Sequence, residues 1–316
     1  MPLPTDQNLI NLSNEIIAQF DALFNLHPGF RPAHARGIML TGTFTPTKDA
    51  AILSSAPHFT KSEPTPVTVR FSSSTGLPDI PDTDPNANPR GVGVRFNLGE
   101  HVHTDIIGQS TPFFPTRTGA EFLEFLRAII ASSAPGASSP TPIEAFLGTH
   151  PAALAFVQTP KPPPSSFAHE SYFGLNAMKF INSSTGASRY GRYIIVPDAG
   201  VKHLDEAAIK AQSKDFLFDE LPQRIKQGSI SFQLYVQLAN DGDVVDDVTV
   251  HWPEDRSKIN LGKVTLTGLV EDNDHEQKRI IFDPIPRIHG IEPSDDPLLE
   301  LRAALYLISG RRRRQA

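Results

Sequence analysis

Arg302 and Tyr306 stand four residues apart in the segment GIEPSDDPLLELRAALYLISGRRRR. An i, i+4 pair shares one helix face, so the guanidinium can lie against the phenol oxygen and favour its ionised form. A free Tyr is protonated near pH 7, with a pKa of about 10; with a fixed cation beside it the phenol becomes a candidate phenolate. A phenolate is an iron ligand, and haem iron is one centre that Tyr ligates. Read without chemistry, the same residues make an amphipathic helix with Tyr at its rim. Burying an Arg with no anion is costly, and a phenolate is the partner this spacing offers. Near the other end, FRPAHARGIMLTGTFTPT supplies His34, between Arg31 and Gly37. Imidazole is the side chain best poised to move a proton between two oxygens near neutral pH. Its alternative reading is a strand-end histidine satisfied by backbone. With 0 Cys the chain has no disulfide, no thiolate metal site and no Cys nucleophile, so redox chemistry needs a bound cofactor.

The elements that must position these residues follow from periodicity. Leu9, Ile10, Ile16, Ile17, Phe20 and Leu23 have helical spacing over about 7–25, and Pro28 lies beyond its end. Four runs then read as strands: GIMLTGTFT, PVTVRFSSS, GVGVRFNL and HTDIIGQS. Helical patterns follow in GAEFLEFLRAIIAS, PIEAFLGTH and PAALAFV. A second β set reads YFGLNAMKFIN, RYIIVPD, ISFQLYVQLAN and KVTLTGLV, interrupted by one apparent helix from Asp205 to about Lys226. The last helix starts at Pro297, with Asp296 as its N-cap. Two sets of four strands can close one antiparallel barrel, and such a barrel holds one small ligand at its mouth.

Composition narrows the function classes. A chain of 316 residues can bury an ample core without covalent staples. Net charge is −6, with 29 Lys+Arg against 35 Asp+Glu, which argues against general nucleic-acid binding. The run Arg311–Arg314 is the exception; at a helix C-terminus it complements the macrodipole. The 29 Pro residues pin long connections such as PNANP and PKPPPSS. The N-terminus, MPLPTDQNLINLSNEIIAQF, lacks the basic and apolar regions of a signal peptide, so a cytoplasmic location is expected. No apolar run approaches the roughly 20 residues of a membrane span.

The blocks around Arg31 and His34, VTVRFSSSTGLPD, NPRGVGVRF, DIIGQSTPFF and the final Asp296–Arg302–Tyr306 block resemble the catalase superfamily in order and spacing, above all its short branch of catalase-related peroxidases. The resemblance runs from about Phe30 to Arg314. It implies an α+β, haem-dependent catalase-like fold: an eight-stranded antiparallel β-barrel with flanking helices, formed as a single domain over 1–316. Within it lie the N-terminal helix (about 7–25), a barrel core (about 30–270) and a proximal helix (about 297–314). It implies haem b, iron protoporphyrin IX, with Tyr306 as the iron ligand and Arg302 beside it. It also implies catalysis by His34, a hydrogen bond between Ser72 and the imidazole that fixes its tautomer, propionate pairing by Arg31, Arg70 and Arg313, and an aromatic contact from Phe122 to the haem edge. A homodimer is implied as well.

Three departures bear on activity. Catalases carry Asn where this chain has Gln109; the amide donor is retained with one more methylene and torsion, so a distal peroxide oxygen would be held differently. A misplacement of about 1 Å can cost on the order of a hundredfold, so fast disproportionation is in doubt and peroxidation gains. Pro32 and Ala33 replace bulkier neighbours of the distal His, leaving room for a larger hydroperoxide. The expectation is of an enzyme without the long arms and extra domain of large catalases. The expectation is a haem peroxidase that reduces hydrogen peroxide or organic hydroperoxides with a small organic electron donor, with weak catalase activity. Alternatives are an isomerase of fatty-acid hydroperoxides of the allene oxide synthase type, a haem carrier or sensor without turnover, and a metal-free barrel for an apolar molecule.

Overall fold

Alternation of apolar and polar side chains puts one face of each long strand inward, and in this chain those faces meet around a closed ring. The computed structural model describes residues 2–316. Its strands are β1 (Gly37–Pro46), β2 (Thr65–Ser72), β3 (Gly91–Gly99), β4 (Val102–Gln109), β5 (Tyr172–Phe173), β6 (Met178–Ile181), β7 (Ser188–Pro197), β8 (Ile230–Leu238), β9 (Lys258–Leu269) and β10 (Ile291–Pro293). Every pairing is antiparallel. Running β1-β2-β3-β4-β5-β7-β8-β9 and back to β1, eight strands close the barrel, with β6 and β10 continuing beyond β7. Closure leaves the barrel no free edge. Its interior is filled by large apolar side chains, among them Leu40, Phe71, Phe96, Phe180, Phe232 and Leu266.

The helices are α1 (Gln7–Phe24), α2 (Lys48–Leu53), α3 (Pro57–Thr60), α4 (Gly119–Ser132), α5 (Pro142–Thr149), α6 (Pro151–Gln158), α7 (Glu206–Lys210), α8 (Phe216–Gln227), α9 (Asn273–Arg279) and α10 (Pro297–Gln315). Asp6 caps α1 by accepting from the Asn8 and Leu9 amides. Thr118 and Glu121 form a capping box at α4. Asp296 caps α10 through the Leu298 amide, and Pro297 occupies its first turn. α1 packs on both α4 and α10, and an Arg312–Asp21 ion pair, 2.9 Å between Nη2 and Oδ1, fastens α10 to α1. Outside the barrel these three helices share a second apolar cluster that includes Ile16, Leu123, Leu126 and Leu298. Among the described residues no helix is long and apolar enough to cross a membrane.

Two sequence expectations differ from the structure. The segment from Asp205 to Lys226 forms two helices, because the buried Asp82 carboxylate accepts from the Leu217 amide and starts α8 there. An anion at the open amides of a first turn is a strong start signal, and here it comes from a distant part of the chain. The run YFGLNAMKFIN splits into β5 and β6, since the segment between them turns toward α10, where Asn176 meets Arg302. α2, α3, α9 and β10 had no counterpart in the sequence pattern.

Candidate active site

Strand register sets out one wall of the main cavity. Gly37 of β1 pairs with Ser72 of β2, Ser72 with Gly91 of β3, and Gly91 with Gln109 of β4, so these positions lie in one row across the sheet. Side chains opposite one another in such a row share a face. At Gly91 that face is bare, and a Cβ there would lie 2.7 Å from both His34 Nδ1 and Ser72 Oγ. The bare position lets the imidazole lie over the sheet, where His34 Nδ1 and Ser72 Oγ are 3.1 Å apart. Gly37 likewise gives room to the Arg70 guanidinium, which a Cβ would overlap. His34 itself has φ +56°. That left-handed backbone is uncommon outside glycine, is cheaper for His than for branched residues, and is held by the His34 amide bonding to Ser74 O at 3.0 Å. His34 Nε2 has no protein partner and remains accessible. Burial, aided by the Arg70 charge, pushes the His34 pKa down to about 4, so the ring is neutral at pH 7.

α10 supplies another wall. Arg302 Nε donates to Tyr306 Oη at 3.0 Å, and the guanidinium carbon lies 5.6 Å from the phenol ring centroid. The expected i, i+4 contact is therefore made. Arg302 Nη1 donates to Asn176 Oδ1, and behind it Asp296 caps the same helix. Burial pushes the Asp296 carboxyl up from its ordinary range.

Arg31, Arg70 and Arg313 all border the cavity. Arg31 donates to Gln277 O and Ile280 O, each at 3.1 Å. Arg70 donates to Gln277 Oε1 at 2.7 Å and to His34 O and Ala35 O. Arg313 donates to Ser309 Oγ and Ile280 O, and its buried Nε has no partner. Among the described residues none of the three has a carboxylate partner. Burial pushes Arg70 down to about 9 and Arg313 to about 10, and lowers Arg31 as well, with the neighbouring arginine charges adding to each shift. Phe122 of α4 lines the cavity between Phe114 and Phe20, with ring centroids 5.2 and 6.0 Å away. The cavity holds about 240 Å³, far above the roughly 10–15 Å³ that one water needs.

Gln109 lines the cavity but does not offer its amide hydrogens to it. Nε2 donates to Thr111 Oγ1 at 2.6 Å and to Phe113 O at 3.2 Å. A backbone carbonyl can only accept, which fixes the nitrogen end of the amide. Oε1 receives no protein donor and is accessible rather than buried. The sequence expectation of an amide donor directed at the ligand is replaced by an amide acceptor.

A catalase family model matches residues 27–315 of this sequence. The chain belongs to the catalase family. It is 35% identical over 285 residues to the catalase-related peroxidase of Mycolicibacterium paratuberculosis, covering 89% of this chain and 88% of that protein. To the catalase-related peroxidase of Synechococcus elongatus it is 33% identical over 299 residues, 94% of this chain and 87% of the relative. A bacterial and a fungal catalase of known structure each superpose with a TM-score of 0.78 at 24% identity, over 98% and 99% of this chain. The chain spans 62% and 64% of those two larger catalases, and the likeness to them is one of fold.

Catalase-family proteins are haem-dependent, and this cavity meets the chemical demands of haem. Haem carries two propionate carboxylates, which three arginines without acids, one of them Arg313 with an unpartnered Nε, are suited to receive. Among the described residues no three His, Cys, Asp or Glu are grouped to hold a bare ion. A lone phenol with an arginine beside it suits an iron that brings its own equatorial ligands.

Sequence reasoning overlooked Gly91, Asn176 and Gln277. The bare alternate positions of GVGVRF, small residues repeating at the strand period, were the available signal for Gly91. Asn176 and Gln277 carried none, since each meets its partner, Arg302 or Arg70, more than a hundred residues away in the chain.

Proposed function

We propose that the chain is a haem b peroxidase, acting through 1–316 as one unit, that reduces hydrogen peroxide or an organic hydroperoxide at the expense of a small organic donor. The observation that carries this reading is the single cavity bordered by Tyr306 with Arg302, by His34 with Ser72, and by three arginines that lack acids. Tyr306 would hold the iron through its phenol oxygen, to which Arg302 Nε donates, and Arg302 is itself oriented by Asn176. Arg31, Arg70 and Arg313 would receive the propionates, and Phe122, which lines the same cavity, would contact the porphyrin. Haem, when bound, supplies the electrons that break the O–O bond, and the organic donor restores them.

His34 handles the protons. Ser72 fixes the orientation of Nδ1, leaving Nε2 free to take a proton from one peroxide oxygen and deliver it to the other, so that water departs. Because the ring stays neutral down to about pH 4, this base is available where an ordinary His, at about 6.5, would be protonated.

Two substitutions test the assignment. Tyr306→Phe should abolish stoichiometric haem uptake, read as Soret absorbance per chain. His34→Ala should keep the Soret band and lose the reaction with peroxide, with a rate at least about a hundredfold lower. Full haem uptake by Tyr306→Phe would refute the ligand assignment. Conversion of a lipid hydroperoxide without consumption of any donor would replace peroxidation by isomerisation.

A further inference from the structure

We propose that Gln109 makes this site selective for electron donors that carry an O–H or N–H group, phenols and primary arylamines, by presenting its carbonyl oxygen as a hydrogen-bond acceptor beside His34. The inference rests on the peroxidase reading above and names the donor class that the same site takes.

Register is the first support. Gln109 lies two positions along the row from Ser72, with only Gly91 between them, so its side chain shares the face over which the His34 imidazole lies. The second support is the amide's fixed orientation. Both hydrogens of Nε2 are used within the protein, on Thr111 Oγ1 and Phe113 O, and the latter can only accept. The third is that Oε1 is left without a protein donor on a residue that lines the cavity, and that His34 Nε2 is in the same position. Two open acceptors therefore border one space, and Ser72 is occupied with Nδ1.

A ligand that brings no hydrogen leaves such acceptors desolvated and unpaired, whereas one that brings O–H or N–H satisfies them. For a neutral bond the difference is about two- to tenfold in affinity. Apolar residues also line this cavity, Phe114 among them, and suit an aromatic body attached to that polar tip. The balance of the reaction is H2O2 + 2 ArOH → 2 H2O + 2 ArO•. Each phenol gives up one electron and one proton; the O–O bond breaks and both oxygens leave as water. Gln109 holds the O–H while His34 Nε2, the basic group, accepts the proton.

The test compares donors that differ only in that hydrogen. With ferric holoenzyme and no peroxide, phenol and anisole are titrated by their perturbation of the Soret band. With peroxide, KM is measured for p-phenylenediamine and for its N,N,N′,N′-tetramethyl derivative. In the unsubstituted protein the protic member of each pair should be preferred, and Gln109→Met should reduce that preference about two- to tenfold in both the Kd ratio and the KM ratio. Should the Met variant fail to retain haem, Gln109→Asn, which withdraws the amide by one methylene, is expected to lower the same ratios. A ratio that does not change in the haem-retaining variant, or no preference in the unsubstituted protein, overturns the inference and leaves the peroxidase reading standing. Absence of peroxide-dependent oxidation of either diamine by the haem-loaded protein would remove both.

Discussion

Arg36 with Arg90, and Arg31 with Arg70 and Arg313, are two groups of buried or half-buried arginines that differ in the company they keep. Arg36 and Arg90 surround the buried Asp82. Arg90 Nη1 lies 3.3 Å from its Oδ1, Arg90 Nη2 donates to Asp82 O, and the remaining nitrogen bonds to Asn88. Arg36 reaches Asp82 at 3.7 Å and Asp215 at 2.7 Å. Arg31, Arg70 and Arg313, by contrast, meet only carbonyls, one hydroxyl and one amide. Backbone carbonyls cannot cancel a charge, so the second group carries uncompensated positive charge at a cavity wall. The first group is complete within the fold; the second is complete only when something anionic enters.

The contrast breaks if the two groups respond alike to substitution. Asp82→Asn should destabilise the protein by about 3–5 kcal/mol in denaturant unfolding, since it leaves the buried Arg90 without an acid, removes one of the two acids of Arg36 and weakens the start of α8. Little of that loss should depend on haem. Arg313→Leu should behave the other way: haem affinity falls by about 2 kcal/mol, roughly thirtyfold, while the apoprotein unfolds at the same or higher denaturant concentration. A large loss of apoprotein stability in Arg313→Leu would mean that this arginine is structural, and the proposed propionate role would have to be abandoned.

The same contrast explains what could be read in the sequence. The long strands and α1, α4 and α10 were legible, because their periodicity and caps are local: Asp6, Thr118 with Glu121, and Asp296 with Pro297 sit where each helix begins. The Arg302–Tyr306 contact was legible for the same reason, being one helical turn. Illegible were features imposed from a distance. α8 begins where Asp82 meets it, and the orientation of the Gln109 amide depends on a carbonyl beyond the end of its own strand. Whether a buried arginine has an acid nearby is likewise a property of the folded chain alone. His34 and its neighbours were visible as a block of residue types, but the glycine-cleared row beneath the ring required strand register.

The smallest expected effect concerns His34, and it sharpens the comparison because the uncompensated arginines act on it. Its folded pKa of about 4 lies below the unfolded value near 6.5, so as pH falls the unfolded chain binds the proton first. The stability linked to this group is complete above about 6.5 and is lost progressively toward 4. Burial is the main cause and the Arg70 charge the next. Arg70→Met should therefore let His34 titrate at a higher pH, still below 6.5, and the acid-induced loss of stability should shrink. The substitution also strands Gln277 Oε1 and two carbonyls, which lowers stability at every pH; the slope between pH 7 and 4 is the quantity to compare, not the intercept. His58, buried among Phe44, Phe59 and Phe96 and pushed down to about 3 by burial alone, adds a slope of its own in both proteins, so the pair is best measured in a His58→Leu background. An identical slope with and without the Arg70 charge would show that the arginine group does not reach the imidazole electrostatically, and the distinction between the two groups would then rest on haem affinity alone.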